Sequence, residues 1–260
     1  MKLSVLSYSF RGLLGEGKMD LFGYLESCKH RYGLGAADIW NGFFASTDDD
    51  YLKKVKDALG ERELELADLC VDRAHVWDDD PEIREKNQQN ALTYLKVAEV
   101  LGARFVRIDA GSRREQWSDA EFDFIVANYK QYCQIAHDAG FRMGAENHWG
   151  PEKSWTNLKR LIDAVDHPAF GISCHINGWA GTQEEKDEAD RLVAPWVSHT
   201  HFPWNITESP VLEEKMKNLR DAGYPGYYSA EHHSAKDEYA EVAVQLAKIK
   251  AVLDRWRAEG

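Results

Sequence analysis

The sequence is short of cysteine, of positive charge and of long hydrophobic runs, and each shortage excludes a class of protein. The four cysteines, Cys28, Cys70, Cys133 and Cys174, include no C-x-x-C spacing, so they predict neither a zinc site nor a disulfide framework. Reduced thiols favour a cytoplasmic protein. No run approaches the roughly 20 apolar residues of a membrane-spanning helix, and residues 1–18 lack the features of a signal peptide.

The charge balance also narrows the range of partners. Lys and Arg number 32 and Asp and Glu number 44, which gives a net charge of −12 with His neutral. This balance disfavours nucleic acid and anionic membrane as partners, because both are bound by a surplus of positive charge. Hydrophobic residues make up 43% and charged residues 29%, a composition typical of a folded globular chain. No linker-like segment divides it, so we expect one domain over residues 1–260.

What the sequence does have is a repeated alternation of strand-like and helix-like segments. Short β-rich runs are predicted at 3–9, 36–40, 63–71, 104–109, 142–146, 171–175, 196–201 and 227–231. Amphipathic stretches between them predict helices, among them 82–101, 119–139, 155–165 and 238–256. Eight such units in 260 residues predict an α/β protein with parallel strands.

The segment after the first strand separates a barrel from an open sheet. An open, doubly wound sheet usually carries a glycine-rich phosphate loop at this point. Here the segment reads Ser9-Phe10-Arg11-Gly12 and has no such pattern. We therefore predict a (β/α)8 TIM barrel, in which the chemistry lies at the carboxyl ends of the strands.

Carboxylates and imidazoles end the last four predicted strands. They are Glu146 and His148, then His175, then His199 and His201, and finally Glu231. Because side chains alternate along a strand, one residue from each can converge on the barrel mouth: Glu146, His175, His201 and Glu231. Two carboxylates and two imidazoles form a mixed oxygen and nitrogen site for one divalent cation. The alternative is that each is an ordinary polar residue at a strand end.

In these strands the sequence resembles the xylose isomerase-like TIM barrels. That family includes sugar-phosphate isomerases and epimerases, ketose 3-epimerases, inosose dehydratases and endonuclease IV. The resemblance covers the whole chain in strand order and is specific in strands five to eight. Glu146-Asn147-His148 matches the fifth strand, His199-Thr200-His201 the seventh, and Glu231 the eighth.

Two segments depart from the family pattern. Where strand six usually carries an Asp, this chain has His175, with Cys174 and Asn177 as the other candidates. We assign His175, since a neutral imidazole replaces a carboxylate with the least disruption. The lost negative ligand favours Mn²⁺, Co²⁺, Fe²⁺ or Zn²⁺ over Mg²⁺. After strand seven, residues 202–205 match neither pattern of the family, so the identity of the substrate does not transfer.

The resemblance implies a metal-dependent sugar isomerase or epimerase that acts on a keto sugar or related polyol through an enediolate. Glu146 and Glu231 would be its catalytic pair, one taking a proton and the other returning it. The first alternative is a lyase or dehydratase on a keto sugar or inosose, which shares the enediolate. The second is a barrel that binds a sugar or metal without turnover.

Residues near the predicted mouth are candidates for substrate contact. They are Trp40, Arg107, Asp109, His148 and His199. For Arg107 and Asp109 the alternative is a buried ion pair that braces the barrel, and for Trp40 it is ordinary packing. The expected partner is a small-molecule sugar, and assembly into a homo-oligomer stays open.

Overall fold

Eight short parallel strands form the centre of the molecule in a computed structural model that describes residues 2–259. The strands are β1 (Leu3–Val5), β2 (Ala36–Trp40), β3 (Glu65–Cys70), β4 (Phe105–Arg107), β5 (Arg142–Glu146), β6 (Phe170–His175), β7 (Val197–Pro203) and β8 (Tyr228–Glu231). Their order follows the chain, from β2 through β8 to β1. A single parallel bridge between Leu6 and Asp38 brings the first strand to the second. The fold is therefore a single-domain (β/α)8 barrel, as predicted.

Helices cover the outside of this barrel. They are α1 (Arg11–Gly15), α2 (Leu21–Glu26), α3 (Asp49–Glu61), α4 (Pro81–Leu101), α5 (Asp119–Ala139), α6 (Trp155–Val165), α7 (Gln183–Val193), α8 (Trp204–Thr207), α9 (Leu212–Asp221) and α10 (Glu238–Glu259). Between residues 2 and 259, no helix is both long and apolar enough to cross a membrane.

Local sequence signals place the starts of the two longest central helices. Asp80 caps α4 and Pro81 opens it, where a missing backbone N–H costs nothing. A capping box of Ser118 and Glu121 begins α5. Both helices end at a glycine in the left-handed conformation, which only glycine adopts without strain.

The predicted strand bounds are close to the observed ones, and they differ most at β1. There the predicted strand 3–9 ends at Val5, because Ser7–Phe10 turns into a short 3-10 helix. The predicted strand 104–109 is likewise shorter, Phe105–Arg107. β5 has the predicted bounds.

The contact between β5 and β6 decides how the ends of these strands are aligned. A Cβ on Gly144 would lie 1.7 Å from the carbonyl oxygen of Gly171. Only glycine permits this close approach of the two backbones. The resulting register pairs Glu146 with Ser173, and His175 in turn pairs with His201 on β7. The polar ends of three neighbouring strands therefore come together at the carboxyl end of the barrel.

Candidate active site

A cavity of about 170 Å³ opens at the carboxyl ends of the strands. It is lined by Leu6, Tyr8, Trp40, Asp72, Arg107, Glu146, His148, His175, Glu231 and His233. Seven of these ten side chains are carboxylates, imidazoles or a guanidinium. The cavity is therefore polar, and it lies where barrel enzymes carry their chemistry.

The four predicted ligands converge at this cavity, where Glu146, His175 and Glu231 line it and His201 is fully buried next to Glu146. One ligand atom from each of Glu146, His175, His201 and Glu231 lies within 4.8 Å of all the others. Oε1 of Glu146 is 2.7 Å from Nδ1 of His201, and Oε2 of Glu231 is 3.0 Å from Nδ1 of His175. Of the strand-six candidates, His175 joins this group, whereas Cys174 is absent from it within residues 2–259.

An amide side chain next to Glu146 fixes the position of His175. Asn147 accepts a hydrogen bond from the backbone N–H of His175 at 2.7 Å and donates one to its carbonyl oxygen at 3.0 Å. These two hydrogen bonds from one side chain to a neighbouring strand hold the ends of β5 and β6 together. The sequence analysis used Asn147 only as part of a matching motif and assigned it no role.

The four converging side chains shift one another's pKa values. Burial opposes ionisation of Glu146, but the imidazoles of His148 and His201 hold its pKa well below the usual range. Burial likewise lowers the pKa of His175, but the neighbouring carboxylates of Glu146 and Glu231 raise it to about 9. Burial also lowers the pKa of His201, but the charge of Glu146 and other neighbours raises it well above its usual value. The carboxylates thus favour a positive charge at this point, which a bound cation would supply in place of protons on the imidazoles.

This donor set fits a divalent cation. It offers two imidazole nitrogens and two carboxylates, a combination suited to first-row transition metals. Oε2 of Glu231 is buried and makes no well-aligned hydrogen bond, although Nδ1 of His175 faces it. A buried carboxylate oxygen without a full partner is costly, and a cation between the four side chains would satisfy it.

Arg107 combines the two roles that the sequence left open. It forms a buried ion pair with Asp109 at 2.9 Å, and it also lines the cavity. Its Nε lies 3.3 Å from Oε2 of Glu146. His148 lies 3.1 Å from the same oxygen. Oε2 of Glu146 therefore faces the guanidinium of Arg107 and the imidazole of His148. Asp109 contacts the other side of the Arg107 guanidinium.

An aromatic wall closes one side of the cavity. Trp40 donates from Nε1 to Asp72 at 2.8 Å, and its ring meets that of Tyr8 edge to face with centroids 5.0 Å apart. Tyr8 belongs to the 3-10 helix after β1 and was not found from the sequence. His233 also lines the cavity, with Nε2 2.9 Å from Oε1 of Glu231.

His199 lies elsewhere than predicted. It is 1% exposed and does not line the cavity, and its Nε2 is 2.7 Å from Asp38 inside the barrel. The reason is its register: His199 precedes His201 by two residues, about 7 Å of strand, and so points inward one layer deeper. It joins a buried cluster with Asp38, Asp68 and His201.

The sequence analysis missed both carboxylates of this interior cluster. Asp38 and Asp68 stand within apolar strands and are fully buried. A carboxylate inside an otherwise apolar strand was the available signal, because buried charges are rare unless they are paired.

Comparison with known proteins agrees with this architecture. Residues 30–252 match the family described as xylose isomerase-like TIM barrel. The match spans most of the chain, so the chain belongs to this family. No curated protein sequence matches it significantly.

Solved structures with the same fold include enzymes and a metal complex. A 3-keto-D-glucoside 4-epimerase from E. coli is 16% identical, with a TM-score of 0.76 over 96% of this chain and 99% of the other. A xylose isomerase-like TIM barrel protein from Mycobacterium smegmatis in complex with magnesium is 14% identical, with a TM-score of 0.76 and 97% of each chain covered. A probable 3-DHS dehydratase from Bacillus anthracis is 15% identical, with a TM-score of 0.71 over 98% and 100%. At these identities the likeness is one of fold.

Proposed function

We propose that the protein is a metal-dependent isomerase or epimerase of a keto sugar or related polyol. The observation that carries the proposal is the convergence of two carboxylates and two imidazoles next to a small polar cavity, which three of the four side chains line. The family to which the chain belongs and the epimerase among the structures with this fold support it. The substrate would be a small molecule bound in the cavity.

Glu146, His175, His201 and Glu231 would hold one divalent cation. A cation held there supplies Lewis acidity, which stabilises the enediolate formed when a proton leaves the carbon next to a carbonyl. Two neutral imidazoles in the donor set favour Mn²⁺, Co²⁺, Fe²⁺ or Zn²⁺ over Mg²⁺. The magnesium in a structure with this fold makes Mg²⁺ the natural comparison in any metal-replacement assay.

Glu146 and Glu231 would carry the proton to and from the substrate. They end strands five and eight and line the cavity together. Each has a second oxygen against an imidazole that reaches solvent: His148, whose side chain is 33% exposed, for Glu146, and His233, 54% exposed, for Glu231. Each imidazole can exchange a proton with water, so each carboxylate can be reset after a turnover.

The other cavity residues would bind and orient the sugar. Arg107 and His148 offer hydrogen-bond donors, and the ring of Trp40 offers an apolar face for stacking. Asp109 and His199 lie behind this layer. They would act through Arg107 and through the interior of the barrel, without touching the sugar.

A lyase or dehydratase is the second candidate. The same enediolate leads to elimination when the neighbouring carbon carries a hydroxyl or glycosidic oxygen that can leave. The observation in its favour is the probable dehydratase among the structures with this fold. The structural match extends over the whole of the dehydratase chain. Binding of a sugar without turnover is the third candidate.

A product assay separates the three candidates. The metal-loaded protein is incubated with neutral and charged keto sugars and glycosides, and products are resolved by chromatography and by ultraviolet absorbance. An epimer or isomer supports the proposal, and an unsaturated, absorbing product supports the lyase. Stoichiometric metal with no turnover on any keto sugar supports the binding protein.

Two variants test the carboxylate pair. Glu146→Gln and Glu231→Gln, assayed at saturating metal, should each lose about 10²- to 10⁴-fold in turnover, the usual worth of a general acid or base. In deuterated water the variant that lacks only the returning acid should still exchange the substrate proton. Glu65→Gln is the control, because Glu65 begins β3 at the opposite end of the barrel. If neither variant impairs both exchange and conversion, the pair is not catalytic.

A further inference from the structure

A second, larger opening lies beside the cavity. This groove has a volume of about 860 Å³ and shares Trp40 and Asp72 with the cavity as lining residues. Its walls come from the loops after β2, β3 and β4 and from α4 as far as Tyr94. The cavity alone is smaller than the roughly 300–1,000 Å³ of most small-molecule sites. A ligand that starts in the cavity can therefore continue into the groove.

Three cations line the groove without a partner. Arg73, Lys86 and Arg113 are exposed and make no ion pair within 4.0 Å in the described part of the chain. Most arginines of residues 2–259 use their guanidinium in an ion pair, a hydrogen bond or an aromatic contact. Arg73, Arg113 and Arg191 are the exceptions within these residues. In a protein of net charge −12, a local excess of positive charge is the exception.

The acidic residues of the groove are already engaged. Asp72 accepts hydrogen bonds from Trp40 at 2.8 Å and from Arg107 at 3.1 Å. Asp78 faces His75 at 3.0 Å and accepts from the backbone N–H of Asp80. Arg113 is near enough to help lower the pKa of Asp78, though it forms no ion pair with it. The groove therefore keeps positive charge available for a ligand.

The backbone under Arg73 is held in a strained conformation. Its φ is 56°, in the left-handed region that favours glycine. Asn90 donates to the carbonyl oxygens of Asp72 and Arg73, both at 3.1 Å, and Asn41 donates to that of Asp72 at 3.2 Å. Strain that is held by several hydrogen bonds is often found at binding sites. Here it fixes where the side chain of Arg73 leaves the loop.

We propose that the groove binds an anionic group of the substrate, a phosphate or a carboxylate. The carbonyl end of the keto sugar lies in the cavity, and its anionic end lies against Arg73, Lys86 and Arg113. Arginine suits this role because its planar fork pairs with both anions. The inference rests on the proposed function and adds to it the charge of the substrate.

Calorimetric titration tests this with three ligands, each with and without Mn²⁺. They are D-fructose, D-fructose 6-phosphate and 5-keto-D-gluconate, which carry no anion, a phosphate and a carboxylate. At least one of the two anions should bind ten-fold or more tightly than D-fructose. The preference should fall in the double variant Arg73→Gln/Arg113→Gln and as salt is raised. Arg191→Gln, which removes an unpaired arginine on α7, is the matched control.

The outcomes are distinct. A preference for the phosphate or for the carboxylate tells which anion is recognised. If neither anion binds at least ten-fold more tightly than D-fructose, or if the double variant binds like the wild type, the inference is overturned. The wild type could show an anion preference that persists in Glu146→Gln, and yet turn over no keto sugar. This result would refute the proposed function and support the assignment of the groove. Turnover of a neutral ketose without any anion preference would do the reverse.

Discussion

Nδ1 of His201 lies 2.7 Å from Oε1 of Glu146, with both side chains buried. This contact joins the cavity floor to the barrel interior, because Nε2 of the same imidazole faces Asp38 at 3.4 Å. An imidazole that binds a metal usually donates its other N–H to a carboxylate, which fixes the tautomer and the orientation of the ring. Asp38 is placed to do this for His201.

The first prediction concerns Asp38. Asp38→Asn should weaken metal binding about 10- to 100-fold, the usual worth of such a partner, while the fold is retained. Asp68→Asn is the control, since Asp68 lies 3.8 Å from Nε2 of His201 and burial raises its pKa to about 6. Metal titration measures affinity, and thermal unfolding checks the fold. Equal affinity in the wild type and in Asp38→Asn would show that Asp38 does not position His201.

The second prediction concerns the metal itself. One equivalent of a divalent cation should bind to the wild type, and Glu146→Gln and His201→Ala should each lose it. Elemental analysis after dialysis measures the content. A full equivalent in both variants, held with wild-type affinity, would refute the ligand set. If only His175→Ala keeps the metal unchanged, the ligand at the position assigned to His175 is instead Cys174, Asn177 or a water molecule.

The third prediction concerns thiol reactivity. Burial raises the pKa of Cys28 and of Cys133 to about 12, and all four cysteines are buried. Only the thiolate attacks a disulfide reagent, and at pH 8 a thiol with this pKa is about 0.01% ionised. Native protein should therefore react with a chromogenic disulfide reagent far more slowly than urea-unfolded protein. Fast labelling of the native state would contradict the burial of these side chains.

The fourth prediction concerns stability. Lys215 on α9 is 2% exposed and pairs with Asp187 and Asp190, each at 2.6 Å. Lys215→Met should lower the free energy of unfolding by about 3–5 kcal/mol, since it leaves the buried Asp190 carboxylate unpaired. Lys217→Met is the control on the same helix, where an exposed pair with Asp221 is worth less than about 1 kcal/mol. Urea unfolding measures both, and similar losses would contradict the argument.

The barrel and the convergence of four side chains were accessible from the sequence. Strand and helix periods alternate along the chain, and parallel strands place their carboxyl ends at one edge. A period-2 strand also fixes which residues share a face, so Glu146 and His148, or Ser229 and Glu231, could be paired by counting. These are local regularities, and one chain is enough to read them.

The depth of each side chain and the contents of the interior came only from the tertiary structure. His199 and His201 share a face and both belong to the interior cluster, yet only His201 also reaches the Glu146 carboxylate, because the level of each depends on the stagger between strands. Tyr8 and Asp38 reach the site through neighbours far away in the chain. Sequence periodicity determined which face a residue occupies, whereas strand register and loop packing decided what it meets there.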